Sequence, residues 1–276
     1  MPDVRLFLRE EQTDERNCRR DKKWVWRCPQ DRRRAMKFDS DRRRIGMIMP
    51  SINIRLEPEY YRCPELSDFN FYTTRIKLDK VTEEGLIHME QDVAYAAEMI
   101  RDVYPEAIIF GCTSGSLVKG AEGEKKLCNA ISHICGCPVV TASRAVLDAL
   151  DTLGAKTITL VTPYLDSINQ KEREFLANEG YTVCGMKGLG ITDPEEMRTQ
   201  PVEVIDQMIA EAESDEADVI FISCTNVEGF HICQMLEQKY HKPVISSNLC
   251  CLWDTLRILE APVRIDNLGI LMREHL

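Results

Sequence analysis

Two Cys-Thr pairs, Cys112-Thr113 and Cys224-Thr225, stand 112 positions apart, and each closes a run that reads as a buried strand. Ala-Ile-Ile-Phe-Gly (107–111) leads into Cys112-Thr113-Ser114-Gly115-Ser116, and Asp-Val-Ile-Phe-Ile-Ser (218–223) leads into Cys224-Thr225-Asn226. The flanks repeat as well. Ile-Gly-Met-Ile-Met-Pro (45–50) ends 62 positions before Cys112, and Ile-Thr-Leu-Val-Thr-Pro (158–163) ends 61 before Cys224. Downstream, Pro-Val-Val-Thr-Ala-Ser (138–143) answers Pro-Val-Ile-Ser-Ser-Asn (243–248). A chain that carries strand, thiol and strand twice predicts two copies of one α/β unit. Packed face to face, the copies would bring Cys112 and Cys224 to opposite sides of one cleft.

From residue 45 onward, strand-like and helix-like segments alternate, the pattern of a parallel sheet with crossover helices. In the first copy the expected strands are 45–50, 69–76, 107–112 and 138–142. The expected helices are 89–103 (Met89, Val93, Ala96, Ile100 and Val103 on one face, closed by Pro105), 123–135 with Gly136 as its stop, and 145–153. The second copy repeats the order: strands 157–162, 182–186, 218–223 and 243–247. Its helices are one capped by Asp166 or Ser167 and stopped by Gly180, a region opened by Asp193-Pro194 and interrupted by Pro201, then 228–240 and 250–259. The prediction is a doubly wound parallel sheet, made twice, with a first domain over 42–144 plus 250–276 and a second over 145–249. Ligands in such sheets bind beyond the carboxyl ends of the strands, where Pro50-Ser51, Cys112, Tyr164 and Cys224 fall.

Charge is unevenly distributed. Residues 1–44 hold 15 Lys and Arg against 9 Asp and Glu, whereas the remainder holds 20 against 36. An acidic body argues against a nucleic-acid partner. The basic head lacks a periodic apolar face, so 1–41 is expected to be a disordered or non-core extension. No run of about 18 apolar residues is present, so no membrane span is expected, and the address expected by default is cytoplasmic. Twelve cysteines in a chain of this size read as free thiols. Cys135-Gly-Cys137 is too tight for a zinc knuckle, and no metal or cofactor is expected. Cys128, Cys184, Cys233, Cys250 and Cys251 lie on apolar stretches and read as core residues.

A free thiol ionises at a pKa of about 8.5, so thiolate at neutral pH needs donors beside it. A place between a strand end and a helix N-terminus supplies backbone N–H groups and the helix dipole. The same donors, with the side chains of Thr113, Ser114, Thr225 and Asn226, suit a substrate carboxylate.

These motifs resemble the aspartate/glutamate racemase superfamily, and within it the maleate isomerase and arylmalonate decarboxylase family, over roughly residues 44–276. Pro50-Ser51-Ile52-Asn53 with Leu56-Glu57-Pro58-Glu59 is similar to that family's first-strand motif. Gly111 to Ser116 matches its first cysteine motif, Thr162-Pro163-Tyr164 the motif of an active-site tyrosine, and Ser223 to Asn226 the second cysteine. The segment 243–248 with Trp253 is similar to the ectoine-utilisation branch. The resemblance implies two flavodoxin- or Rossmann-like domains related by a pseudo-two-fold axis, a homo-oligomer and a cofactor-independent isomerase acting on a small carboxylate or dicarboxylate. It also implies Cys112 and Cys224 as catalytic groups, with Ser51, Asn53, Thr113, Ser114, Tyr164, Thr225 and Asn226 about the substrate. Decarboxylases of the family carry glycine at the first cysteine, where this chain has Cys112. Maleate isomerases carry an additional Asn after the second strand of the second domain, where this chain reads Gly190-Ile191-Thr192-Asp193-Pro194.

Three readings follow. In cis–trans isomerisation, a Cys112 thiolate adds to an alkene carbon and Cys224 exchanges a proton with its neighbour. In racemisation of an amino-acid or hydantoin-type substrate, the two thiols remove and return a proton on opposite faces of one carbon. The third, of another class, is a non-catalytic carboxylate-binding protein, which two intact thiols argue against. A nucleotide-binding role lacks its Gly-rich loop.

Overall fold

The structure, a computed structural model, describes residues 42–276, and the basic head 1–41 lies outside them. Its strands form two four-stranded sheets in which every neighbouring pair is parallel. The first comprises β1 (Arg43–Pro50), β2 (Phe69–Ile76), β3 (Ala107–Phe110) and β4 (Val139–Thr141) in the order β2-β1-β3-β4. The second comprises β5 (Thr157–Thr162), β6 (Thr182–Gly188), β7 (Val219–Ile222) and β8 (Val244–Ser246) in the order β6-β5-β7-β8. One topology is thus made twice, as the duplicated motifs predict.

All four residues of β3 and of β7 are buried. Strands covered on both faces carry continuous apolar runs rather than alternating ones, which is why Ala-Ile-Ile-Phe and Val-Ile-Phe-Ile read so plainly. In each sheet the order reverses between the first strand and its neighbour, so a crevice opens beyond the ends of β1 and β3 and of β5 and β7. Cys112, Tyr164 and Cys224 follow three of those four ends.

The helices are α1 (Leu56–Tyr61), α2 (Glu83–Glu90), α3 (Val93–Arg101), α4 (Thr113–Leu117), α5 (Gly120–Cys135) and α6 (Ala142–Leu153) in the first half. In the second they are α7 (Asp166–Asn178), α8 (Pro194–Arg198), α9 (Val202–Ala212), α10 (Cys233–Tyr240), α11 (Ser247–Ile258) and α12 (Ile270–His275). The equivalent helices α6 and α11 begin with matching caps: Thr141 Oγ1 accepts from Arg144 N and Ser246 Oγ from Leu249 N, each at 3.2 Å. They pack on one another and join the halves, and α12 rests on α6 while Trp253 Nε1 donates to His275 O at 3.0 Å.

Four local expectations are corrected. The single helix over 89–103 is two, α2 and α3, broken at Gln91-Asp92. Met89 therefore belongs to α2, which packs on α4, while α3 covers β1 and β2. The helix over 228–240 starts only at Cys233. Gly229 lies so close to Ser246 that an added Cβ would stand 2.7 Å from Ser246 Cβ, and the chain there runs in turns. Leu165, not Asp166 or Ser167, occupies the cap position of α7. Cys128 and Cys184 are half-buried rather than core, although Cys233, Cys250 and Cys251 are fully buried. Helices α1, α4 and α12 were not expected. Among the described residues no helix is long and apolar enough to cross a membrane.

Candidate active site

Cys112 ends the first cysteine strand in an extended conformation (φ −148°) and stands at the cap position of α4. Its sulfur accepts from Gly115 N at 3.3 Å and lies 3.9 Å from Ser114 Oγ. Cys224 is held differently. Its φ of +103° is a conformation that side-chain-bearing residues rarely adopt, and turns rather than a helix follow it. Asn226 N donates to its sulfur at 3.4 Å, and its own N–H donates to Ser247 Oγ at 3.1 Å. Ser247 Oγ also accepts from Thr113 Oγ1 at 2.8 Å, so one buried hydroxyl at the start of α11 ties both thiol loops together.

Both cysteines line one cavity with Pro50, Ile52, Asn53, Leu78, Val81, Thr113, Ser114, Tyr164, Met197, Thr225 and Asn226. The cavity is small, and its empty space comes to about 320 Å³ only with the open mouth included. Leu78, Val81, Met197 and Ile52 give the wall apolar side chains beside the polar Asn53, Thr113, Ser114, Thr225 and Asn226, and no Lys, Arg or His lines it. Beside it the two halves touch, with Val81 N donating to Thr192 O at 3.5 Å, and Lys171 pairs with Glu83 at 3.0 Å.

The sequence-expected residues take unequal places. Thr113, Ser114, Tyr164, Thr225 and Asn226 line the cavity with the two thiols. Asn53 lines the cavity, but its amide donates to both Thr225 O and Thr225 Oγ1 at 3.0 Å, and its Oδ1 accepts from Arg55 N and Leu56 N at the start of α1. It is a clasp between the halves. Asn226 works likewise: its Oδ1 accepts from Ile54 N at 3.0 Å. Ser51 is the exception. Its hydroxyl accepts from Leu78 N at 3.2 Å, and it is not part of the wall that Pro50, Ile52 and Asn53 help to form.

Electrostatics correct the expectation of ready-made thiolates. Burial pushes the Cys112 thiol up to about 11, against the lowering effect of Gly115 N–H and Ser114. Burial likewise pushes Cys224 up to about 12, although Asn226 N–H and the Tyr164 hydroxyl donate to it. Only Cys112 has a helix start behind it. Burial also holds the Tyr164 hydroxyl well above its ordinary value, so it is a donor throughout the neutral range.

Behind the cavity, Glu59 and Asn248 lie buried against each other, and the Asn248 amide donates to Glu59 and, at 3.2 Å, to Thr225 O. Glu59 Oε1 and Asn248 Oδ1 have no other partner. Burial and the nearby Glu228 charge raise the Glu59 carboxyl well above its usual range. A protonated Glu59 avoids burying a charge there. A native pKa above the unfolded value near 4.3 means that this contribution to stability is complete below that value and is lost as pH rises through the native one. The melting temperature is therefore expected to fall above pH 5, and less steeply in Glu59→Gln, which cannot ionise. Parallel profiles for the two proteins would show that Glu59 is charged in the native state.

The cavity wall holds three residues that no sequence motif marks, Leu78, Val81 and Met197, because they come from loops that meet only in the fold. Among the described residues no cluster of three His, Cys, Asp or Glu side chains is placed to bind a metal.

A family model for arylmalonate decarboxylase matches residues 45–272. The chain is 27% identical to a maleate isomerase of Nocardia farcinica over 244 residues, 84% of this chain and 96% of that protein. It is 29% identical to an arylmalonate decarboxylase of Bordetella bronchiseptica over 216 residues, 78% of this chain and 89% of that protein. Among solved structures, a Nocardia farcinica maleate cis-trans isomerase in a cysteine-to-serine form with a covalently bound succinylcysteine intermediate superposes with a TM-score of 0.80, at 25% identity, over 85% of this chain and 99% of that one. With a repeated sheet topology, paired strand-end thiols and this coverage, the chain belongs to the maleate isomerase and arylmalonate decarboxylase family of the aspartate/glutamate racemase superfamily.

Proposed function

We propose that the protein is a cofactor-independent isomerase of a small carboxylate, in which Cys112 is the nucleophile and Cys224 the proton donor and acceptor. The observation that carries this reading is the meeting of both strand-end thiols in one small cavity. The succinylcysteine of the Nocardia farcinica relative supports a thiol that bonds to carbon. For an alkene substrate such as maleate, the Cys112 sulfur adds to one alkene carbon, and the π electrons move to its neighbour, which takes the Cys224 proton. The central bond, now single, rotates. Cys224 sulfur then recovers a proton from that carbon, the carbon–sulfur bond breaks, and the trans alkene leaves with Cys112 again a thiolate.

The Ser114 hydroxyl and the Thr225-Asn226 loop are the groups that hold a carboxylate beside the thiols, while the Thr113 hydroxyl donates to Ser247 and that of Tyr164 to Cys224. Asn53 positions Thr225 for that task. Tyr164, which hydrogen-bonds to Cys224, orients the sulfur. The second reading is racemisation, and the apolar wall favours it: Leu78, Val81 and Met197 suit a hydrocarbon substituent better than a second carboxylate. A homo-oligomer is part of the proposal by family likeness.

One assay separates the readings. Purified protein is given maleate, with fumarate followed by ultraviolet absorbance, and in parallel enantiopure α-substituted carboxylic acids and amino acids, with loss of optical rotation followed. Fumarate formation supports isomerisation, and loss of rotation alone supports racemisation. Inertness towards the whole panel would contradict both.

A further inference from the structure

Ser247 is fully buried and has no part in the cavity wall, yet it accepts hydrogen bonds from both thiol loops. Thr113 Oγ1 donates to its hydroxyl at 2.8 Å and Cys224 N at 3.1 Å. The two copies of the fold differ at this point. In the first, Cys112 takes an extended φ of −148°, and its N–H donates to Phe110 O, two residues back, at 3.0 Å. The start of α6 carries Ala142 at the corresponding place, with no hydroxyl to offer. In the second, Cys224 has a φ of +103°, and its N–H reaches across to the side chain of Ser247 on α11. A residue with a side chain persists in such a conformation only where its surroundings over-determine it. The residues on either side are held as well. Ser223 Oγ donates to the buried Glu172 of α7 at 2.6 Å, and Thr225 O accepts from Asn53 at 3.0 Å and Asn248 at 3.2 Å. Cys224 itself is held through its N–H, by Ser247.

We propose that Ser247 is a positioning residue whose hydroxyl fixes the backbone of Cys224 at its positive φ and, bonded at the same atom to Thr113 beside Cys112, sets how the two sulfurs face the substrate. The inference rests on the reading of Cys224 as proton donor and acceptor. The connection is short: Cys112, its neighbour Thr113, one oxygen atom of Ser247, then Cys224 N. Without that oxygen a buried N–H loses its acceptor where the conformation is already costly. The backbone of Cys224 then relaxes and carries the sulfur with it. Misplacing a reacting group by an ångström costs about a hundredfold in rate.

Ser247→Ala tests this, because alanine is what the first copy carries at the start of α6, a helix that forms with it. On a substrate that the wild-type protein converts, kcat is expected to fall about a hundredfold with KM within about threefold, since Ser247 touches no substrate. The solvent deuterium isotope effect on kcat should rise above the wild-type value, because the proton step at Cys224 becomes limiting. Ser247→Thr keeps the hydroxyl and should recover most of the turnover. Ser143→Ala is the control: it removes a buried hydroxyl without a hydrogen-bond partner from the first turn of α6, and kcat should be unchanged. A second measurement needs no turnover. Hydrogen exchange at single-amide resolution should show the Cys224 N–H protected in wild-type protein, about tenfold faster in Ser247→Ala, and Cys112 N–H alike in both.

An unprotected Cys224 N–H in the wild-type protein overturns the proposal even if Ser247→Ala fails to fold. So would an unchanged exchange rate in the variant, a kcat close to that of wild type, a lowered kcat with an unchanged isotope effect, or Ser247→Thr as impaired as Ser247→Ala. A wild-type protein inert towards the whole panel contradicts the isomerase reading, and the exchange rates then decide by themselves whether Ser247 holds Cys224.

Discussion

Cys112→Ser and Cys224→Ser are each expected to lower turnover by about a thousandfold or more, because removing one member of a group that acts as a unit removes most of the catalysis. Serine is near in size to cysteine, so the fold should persist, but a hydroxyl in the same dry cavity neither adds to carbon as an anion nor exchanges a proton at useful rates. Cys233→Ser is the control. Cys233 is buried, and its sulfur bonds to Gly229 O at 2.8 Å away from the cavity wall, so its loss should alter melting temperature and leave turnover within a fewfold. Steady-state kinetics with circular-dichroism melting checks all three. Full turnover in both active-site variants would show that the paired thiols are not the reacting groups.

Asn248→Ala is expected to cost about 3 kcal/mol of stability, or a melting temperature lower by about 10 °C. Asn248 is buried at the junction of the halves. Its amide serves Glu59 and Thr225 O, and its backbone carbonyl accepts from Tyr60 at 2.8 Å. Removing the side chain takes the amide donor from the buried Glu59 carboxyl, leaves Thr225 O with Asn53 as its amide donor, and opens space beside them. Turnover should fall as well, since Thr225 O loses one of its two amide donors. Thermal melting and kinetics on the same preparation test this. A shift of a degree or two would mean that the cluster is already satisfied without Asn248.

Much of this molecule is legible in the chain. Buried parallel strands carry uninterrupted apolar runs, so β3 and β7 announce themselves, and the thiols at their ends follow from topology alone. Gly136 stops α5 as read, in a left-handed conformation (φ +69°). Three kinds of feature escape such reading. Short helices such as α1 and α4 have too few turns to show a period; Asn53 Oδ1 capping Arg55 and Leu56 N–H is what organises the first. Close approaches, like Gly229 against Ser246, exist only after both loops are placed, and so 228–232 reads as helix in the sequence where the chain runs in turns. Loops that meet across the cleft, bringing Leu78, Val81 and Met197 together, leave no local pattern. Glu172 is different, because its signal was present. It falls on the apolar stripe of α7 with Ile168, Phe175 and Leu176, where a charge is out of place. Ser247 also broke the repeat, standing where the first copy has Ala142.

The central claim is that Cys112 forms a bond to substrate carbon while Cys224 handles the proton. Its most direct test is mass spectrometry of Cys224→Ser after incubation with maleate, with peptide mapping of every cysteine. The account predicts one added substrate mass, carried by Cys112 alone and absent from Cys112→Ser. An unmodified Cys112 in a preparation whose wild-type counterpart converts maleate, or an adduct on any other cysteine, would contradict it.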